Sequence, residues 1–273
     1  MYIDSHVHYD MKIFNKDRTA LLAALQANHI EAVINAATRY ESNFTMQEKM
    51  DAYDWVHYAV GIHPNHVGIM DEVDEVWEKG LLRLLTDGNK IVAIGETGLD
   101  VHRLKRNERG ELEEESERKL KRQYQWFRKQ VEMAIHKKLP LILHVRDAHE
   151  EAITVLKEYA EQLPLRNAGV IHCYNGDLET AWRYADMGFS FGIGGLVTEE
   201  ENQRLRTAVA GLPLSRILLE TDAPYVTPAG ALEKRNSSLN LPMIAEEVAK
   251  LKGVSVDEVE RSTTDNAKKL FGI

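Results

Sequence analysis

The sequence predicts a TIM-type (β/α)8 barrel whose functional site lies at the C-terminal ends of the strands, in one domain over residues 1–273. Short apolar runs alternate with helical periodicity along the whole chain. A length of 273 residues suits one such barrel. Several apolar runs also end in a side chain able to bind a metal ion, as expected where catalytic groups converge on one face of a barrel.

Eight apolar segments have the length and composition of strands. They cover residues 2–8, 32–37, 57–62, 91–96, 141–146, 169–174, 189–193 and 217–222. Eight strands that alternate with helices favour a closed barrel, because an open doubly wound sheet would usually need fewer.

Helical spacing is clearest from Ser116 to Lys138, where apolar residues recur at intervals of three and four. Thr198, with Glu201 three residues later, has the form of a capping box and predicts a second helix start. Ser255 has the same form and predicts the start of a C-terminal helix.

A charged stretch, residues 103–122, interrupts this rhythm with the sequence RLKRNERGELEEESERKLKR. Charge runs are usually solvated, so one interpretation is a mobile loop with the first turn of the next helix. The other is a flap beside the site, in which Arg103 and nearby basic residues would meet a phosphate backbone. The sequence leaves both open.

Composition limits the possible functions. The chain is 44% hydrophobic and 28% charged, as in ordinary globular proteins. One cysteine, Cys173, suits a reducing compartment, and no secretory signal or membrane span is visible, so a cytoplasmic protein is predicted. The net charge of −9 argues against tight non-specific binding of DNA, although metal ions can supply positive charge locally.

Six potential metal ligands follow five of the apolar runs. They are His6 and His8 in IDSHVH, Glu96 in AIGETGLD, His144 in LILHVRD, His172 in VIHCYNG and Asp222 in LLETDAPY. Any one of these histidines is more often a hydrogen-bonded residue than a ligand. Their joint occurrence at strand ends favours a metal-dependent hydrolase.

Six ligands are too many for one tetrahedral ion, and they suit two ions that share a carboxylate. Glu96 is the natural bridge, because it lies between the two groups of histidines in the chain. Asp222 is placed to act as the base that accepts a proton from the attacking water. The predicted cofactor is a pair of divalent ions: zinc, manganese or magnesium. The nitrogen-rich ligand set favours zinc, manganese or iron over magnesium.

The motifs DSHVH, GIHPN, GETGLD, HVRDA, HCYNG and ETDAPY together resemble the TatD family of metal-dependent deoxyribonucleases, within the amidohydrolase-like metallohydrolases. The likeness runs from Tyr2 to the NAKKLF segment at 266–271. It implies a TIM barrel and hydrolysis of DNA phosphodiesters, commonly as a 3′-to-5′ exonuclease. It also implies one metal held by His6, His8, Glu96 and Asp222, and another held by Glu96, His144 and His172.

Three further residues are predicted to contact the substrate: His63 in GIHPN, Arg146 after His144, and Arg235. The expected partner is DNA, as single strands or 3′ ends, with no membrane and no obligate protein partner. Ser237 and Ser238 stand where members of the family usually carry Glu-Pro. This departure and the long charged stretch concern substrate choice rather than the metal ligands.

Two alternatives remain. One is a barrel hydrolase that cleaves a small-molecule amide, lactone or phosphoester. Relatives of that kind often carry a bridging lysine at the end of strand 4, where this chain has Glu96. The other is a scaffolding protein without activity, for which loss of a ligand would be expected, although none is lost.

Overall fold

The computed structural model describes residues 1–68 and 74–273. Eight strands lie within these ranges. They are β1 (Tyr2–Val7), β2 (Ile30–Ala36), β3 (Val56–Val60), β4 (Ile91–Asp100), β5 (Leu141–Arg146), β6 (Gly169–Ile171), β7 (Phe189–Ile193) and β8 (Ile217–Leu219).

The α-helices of the described ranges mostly lie between these strands, and the last two follow β8. They are α1 (Arg18–Ala27), α2 (Ser42–Met50), α3 (Asp74–Asp87), α4 (Glu114–Lys137), α5 (His149–Lys157), α6 (Leu178–Asp186), α7 (Gln203–Gly211), α8 (Leu241–Lys252) and α9 (Val256–Phe271). No helix in the described part of the chain combines the length and apolar character needed to cross a membrane.

The strands form one sheet in the order β1 to β8, with every neighbouring pair parallel. A parallel bridge between Val7 and Ala223 joins the two edges. The backbone N–H groups of His8 and Asp222 donate across this junction to Ala223 and His6, at 2.8 and 3.0 Å. The predicted barrel is therefore confirmed, and its closure brings the first strand, β1, next to the last strand, β8.

Alternate strand residues belong to two apolar clusters, as the two-residue period of a strand requires. In β2, Ala32, Ile34 and Ala36 belong to a smaller cluster of strand residues that includes the end of α9. Val33 belongs to the larger cluster, which contains the buried faces of the helices. The sheet is thus apolar on both faces, and this explains why its strands read as continuous apolar runs.

Strand boundaries differ from the prediction at the functional edge. Predicted strands at 169–174 and 217–222 end at Ile171 and Leu219, so His172 and Asp222 lie in the loops just beyond. In contrast, β4 continues to Asp100, so Glu96 lies inside a strand rather than at its end. Apolar length alone could not give these limits, because polar residues continue the pairing of β4 with β5.

The predicted helix start at Thr198 is wrong. Thr198 ends a short 3-10 helix, and its hydroxyl donates to the carbonyl of Gly195 at 2.6 Å. Asn202 instead caps α7 by accepting from the N–H of Leu205. The cap predicted at Ser255 is confirmed, since its hydroxyl accepts from the N–H of Glu258 at 3.2 Å.

The charged stretch has a defined backbone. Lys105 and Glu113 are joined by a 3.0 Å backbone hydrogen bond, and Arg106 and Leu112 form an antiparallel bridge. The hydroxyl of Ser116 accepts from the N–H of Lys105 at 2.8 Å. Helix α4 begins at Glu114, so the second half of the stretch is helical, and the first half is a hairpin fixed to the helix.

Candidate metal centre

The six predicted ligands meet at the C-terminal end of the barrel. Five of them line a cleft of about 480 Å³, namely His8, Glu96, His144, His172 and Asp222. His6 is fully buried beneath it. The ring of His6 stacks on that of His172, with centroids 3.6 Å apart. Residues separated by more than two hundred positions in the chain are therefore neighbours, as the pattern of strand ends predicts.

Glu96 lies at the centre of the group and is 2% exposed. Its Oε2 atom is 3.4 Å from His6 Nε2 and 3.6 Å from His8 Nε2. Its Oε1 atom is 2.8 Å from His144 Nδ1 and 3.6 Å from His172 Nε2. Each carboxylate oxygen thus faces a different pair of imidazoles, which is the arrangement that a bridging ligand requires.

The outer nitrogens of two histidines have defined partners. His8 Nδ1 is 2.8 Å from the carbonyl oxygen of Ala36, and His172 Nδ1 is 3.0 Å from Glu220 Oε1. Because both partners accept hydrogen bonds, both Nδ1 atoms carry a proton. When the second proton leaves each ring, the lone pair of Nε2 is directed towards Glu96, and this is how metal-binding histidines are oriented.

The inner nitrogens of two histidines are crowded. His6 Nε2 and His8 Nε2 are only 3.1 Å apart, and both rings are buried. Two lone pairs at this separation repel each other unless a proton or a metal ion lies between them. His6, His8 and Asp222 offer ligand atoms within 4.8 Å of one another, as do His6, Glu96 and His172. The donor set therefore fits divalent metal.

The raised pKa values of two buried histidines indicate that the surrounding carboxylates favour positive charge at this site. Burial alone would lower the pKa of His172, but Glu220 and Asp222 outweigh it and raise that pKa to about 10. Burial likewise opposes protonation of His8, while Asp222 and Glu96 raise its pKa to about 9. The carboxylates thus hold protons on imidazoles where metal ions would displace them, and metal binding should release protons.

Asp222 follows β8, and its carboxylate faces both histidines of β1. Its Oδ1 atom is 3.3 Å from His8 Nε2 and 3.8 Å from His6 Nε2. Burial alone would raise the pKa of Asp222, but His172 and His8 lower it below its ordinary value. Its side chain is 15% exposed, more than those of the other carboxylates around it, and it lines the cleft.

Asp4 lies one layer beneath the ligands and connects β1 with the loop that follows β8. Its fully buried carboxylate accepts from the N–H and hydroxyl of Thr221 at 3.0 and 2.6 Å. It also accepts from the hydroxyl of Ser238 at 2.6 Å and from the N–H of His6 at 3.3 Å. Four donors therefore satisfy this carboxyl group, whose burial raises its pKa to about 7, and hold His6 and Thr221, the residue before Asp222, in position.

His63, in the loop after β3, and Asp100, at the end of β4, also line the cleft. His63 Nδ1 accepts from the N–H of Asn65 at 3.0 Å, so a neutral His63 carries its proton on Nε2, 3.4 Å from Glu96 Oε1. Burial lowers the pKa of His63 to about 3, which keeps the ring neutral. Asp100 Oδ2 lies 3.3 Å from His144 Nε2. The geometry makes His63 a donor towards the site.

Glu220 is the main residue that the sequence analysis missed. Besides His172, its Oε1 atom accepts from the N–H of Cys173 at 2.6 Å. A Cβ atom on Gly192 would lie 1.9 Å from Glu220 Oε2, so only glycine leaves room for this carboxylate. Glu220 belongs to the ETDAPY motif, but its partners lie in the loop after β6, far away in the chain, and give no local signal. Asp100 was visible at the end of GETGLD.

The predicted substrate contacts divide into two groups. His63 and Arg146 both line the cleft, together with Arg39 and Arg103 at its mouth. Arg235 does not: its guanidinium is paired with Asp17, with NH1 3.0 Å from Oδ1, and lies over the ring of Phe14. These contacts occupy Arg235 away from the cleft.

Comparisons with known proteins agree with this geometry. The family model described as TatD related DNase matches residues 3–272. An uncharacterized metal-dependent hydrolase of Bacillus subtilis, YabD, is 31% identical, and the alignment covers 100% of both chains. The relative named 3′-5′ ssDNA/RNA exonuclease TatD from Pantoea ananatis is 32% identical, with 95% of each chain covered.

The crystal structure of YJJV, a TatD homologue from Escherichia coli, is similar to this chain with a TM-score of 0.87. Its sequence identity is 27%, and the match covers 100% of this chain and 98% of the other.

Proposed function

This chain belongs to the TatD family of metal-dependent hydrolases, and from that premise we propose that it hydrolyses phosphodiester bonds of single-stranded DNA as a 3′-to-5′ exonuclease. The metal-dependent hydrolase class follows from the family. The type of bond that is hydrolysed, the substrate and the direction of cleavage are what we propose. The name of the Pantoea ananatis relative, an exonuclease acting on ssDNA and RNA, supports the choice of substrate.

The observation that carries the proposal is the position of Glu96. Its two oxygens face two different pairs of imidazoles, and this arrangement suits two divalent ions that share one carboxylate. We assign His6, His8 and Asp222 to one ion and His144 and His172 to the other. Zinc and manganese are favoured over magnesium by the nitrogen ligands.

Divalent ions held there would supply Lewis acidity towards the phosphoryl oxygens and lower the pKa of water. The residues of the chain supply the remaining functions. Asp222 is ionised at neutral pH, because its pKa is lowered, and its partly exposed carboxylate accepts the proton of the attacking water. His63 donates from Nε2 to an oxygen of the scissile phosphate, because its Nδ1 is engaged with Asn65.

Positive charge at the mouth of the cleft supports a phosphodiester substrate. Arg39, Arg103 and Arg146 line the cleft, and in the part of the chain that the structure describes none of the three guanidiniums is paired with a carboxylate. Free guanidiniums match the geometry of phosphate oxygens. The positive charge at the mouth of the cleft is a local feature, since the whole chain carries a net charge of −9. We keep the cytoplasmic location as a prediction from composition.

The test is hydrolysis of single-stranded DNA labelled at either end by metal-stripped protein, with zinc, manganese or magnesium added back in turn. Stepwise shortening from the 3′ end that requires metal is expected. Asp222→Asn should reduce the rate by about 10²- to 10⁴-fold, as for loss of a catalytic base. Loss of activity in Asp222→Asn also excludes contaminating nucleases, whereas the conservative exchange of an exposed glutamate, Glu161→Gln, should leave the rate unchanged.

Three results would contradict the proposal. Shortening from the 5′ end would reverse the polarity. Wild-type activity in Asp222→Asn would remove the proposed base. Cleavage of a simple ester or lactone without cleavage of DNA under any metal would move the protein to the small-molecule hydrolases.

A further inference from the structure

A second cleft, of about 400 Å³, adjoins the metal cleft. Asn65, His66 and Arg103 line both clefts, so the two are continuous at these residues. The second cleft then extends to Lys119 on α4, between the loop after β3 and the hairpin after β4. A ligand bound at the metal centre can therefore reach it without leaving the surface of the protein.

Two cationic side chains, Arg103 and Lys119, belong to the described lining of the second cleft, whereas burial lowers the pKa of His66. Arg103 stands where the clefts meet, and Lys119 and the half-buried His66 lie along the second one. Arg103 and Lys119 are exposed. Lys119 contacts Glu115 on the same helix at 2.5 Å, but with both side chains about half exposed or more this pair is weak and can open to another anion. Pro64 and Leu104 add apolar surface.

The walls of the second cleft are tied to the metal centre by hydrogen bonds. Asn65 Nδ2 donates to Asp100 Oδ2 at 2.7 Å, and the same carboxylate contacts His144. His102 Nδ1 and Asp147 Oδ2 lie 2.7 Å apart, which links the loops after β4 and β5. The basic residues are thus carried on segments with a fixed relation to the ligands, as accurate positioning of a bound chain requires.

We propose that the second cleft holds the phosphate groups of nucleotides next to the scissile one, with Arg103 contacting the nearer phosphate and Lys119 a more distant one. This inference rests on the proposed nuclease function and extends it to the length of substrate that the protein prefers. The recognised chemistry is the sugar-phosphate backbone of a single strand. The described lining contains no Phe, Tyr or Trp, and phosphate contacts carry no base information, so we expect binding there to be independent of base sequence.

The helix offers a matched pair of variants. Lys119 lines the second cleft, whereas Lys121, two residues later, lines a different surface of α4 with Tyr124 and Arg128. Both lysines are exposed. Lys119→Ala and Lys121→Ala therefore remove the same charge from different surfaces of the same helix, and Glu115→Gln controls for the ion pair between Lys119 and Glu115.

The first measurement is binding of fluorescent oligothymidylates of increasing length to chelated protein, where no hydrolysis occurs. Affinity should rise from the dinucleotide to longer strands. Lys119→Ala should lower affinity for the longer strands by about five-fold, the effect of one exposed charge contact. It should also reduce the slope of log affinity against log salt by about 0.7. Lys121→Ala should change neither, and Glu115→Gln should raise affinity by freeing Lys119.

The second measurement is hydrolysis with metal restored. The ratio of kcat/KM for a long strand to that for a dinucleotide should fall in Arg103→Ala and Lys119→Ala and stay unchanged in Lys121→Ala. Equal behaviour of Lys119→Ala and Lys121→Ala in both measurements would overturn the inference while leaving the nuclease function intact. Length-dependent binding that requires Lys119, without cleavage of any strand, would instead uphold the cleft and contradict the nuclease function.

Discussion

The floor and the rim of the cleft are built in opposite ways. We define the floor as His6, His8, Glu96, His172 and Asp222, and the rim as Arg39, Arg103 and Arg146. The floor side chains are buried, apart from the partly exposed Asp222, and the outer nitrogens of His8 and His172 are held by a backbone carbonyl and a carboxylate. The rim residues are exposed, and their guanidiniums have no carboxylate partner within the described ranges. The floor is therefore fixed before any ligand arrives, whereas the rim is left free to bind one.

Replacing the central carboxylate of the floor should have the largest effect. Glu96→Gln keeps the shape of the side chain but removes the charge that both groups of histidines face. We expect the metal content of the purified protein to fall at both positions together and hydrolysis to fall by at least about a hundred-fold. Elemental analysis and rate measurements would test this, with Glu161→Gln as the matched exposed control. Full metal content in Glu96→Gln would show that Glu96 bridges nothing.

Glu220→Gln tests the support beneath the floor. Loss of the charge next to His172 Nδ1 should weaken metal binding by about 10- to 100-fold, as for other outer partners of metal-binding histidines. The same variant should lower the pKa of His172 in the metal-free protein, because Glu220 is the largest of the causes that raise it. Metal titration and pH titration of the histidine NMR signals measure the two effects. An unchanged pKa would mean that Glu220 only fills space.

Ser238→Ala should affect stability more than catalysis. It removes one of the four donors to the buried carboxylate of Asp4, and we expect the free energy of unfolding to fall by about 1–3 kcal/mol. Ser237→Ala, at the neighbouring half-buried position, should have little effect, because no side-chain contact of Ser237 supports Asp4. Denaturant unfolding of both variants measures the difference. Equal free energies of unfolding would show that the hydrogen bond from Ser238 to Asp4 does not stabilise the fold.

The smallest effect is expected at the rim. Arg146→Ala should leave the metal content unchanged and reduce kcat/KM on DNA by roughly two- to five-fold, since the contact is exposed and screened by solvent. Added salt should erase the difference from the wild type. Arg166→Ala, before β6 at the opposite end of the barrel, is the control. A loss of bound metal in Arg146→Ala would erase the distinction between floor and rim.

The floor was predictable because its information is local. His172 follows an apolar run, and His6 and His8 end the first strand-like segment; a barrel brings such positions to one face whatever the details of its loops. The roles of Glu220 and Ser238 were not predictable, because each depends on a partner far away in the chain. Arg235 was misplaced for the same reason: its partner Asp17 lies 218 positions away. The extent of β4 also escaped prediction, since Thr97, Gly98 and Asp100 look like a loop yet pair with β5.

The junction between β1 and β8 has a consequence for synthesis of the protein. The ribosome releases His6 and His8 more than two hundred residues before Asp222. Thr221 and Ser238, which hold the Asp4 carboxylate, arrive equally late. A nascent chain that ends before β8 therefore exposes two histidines without the carboxylate that completes their site. Tight capture of metal becomes a late event of biosynthesis, coupled to the moment at which the first strand meets the last.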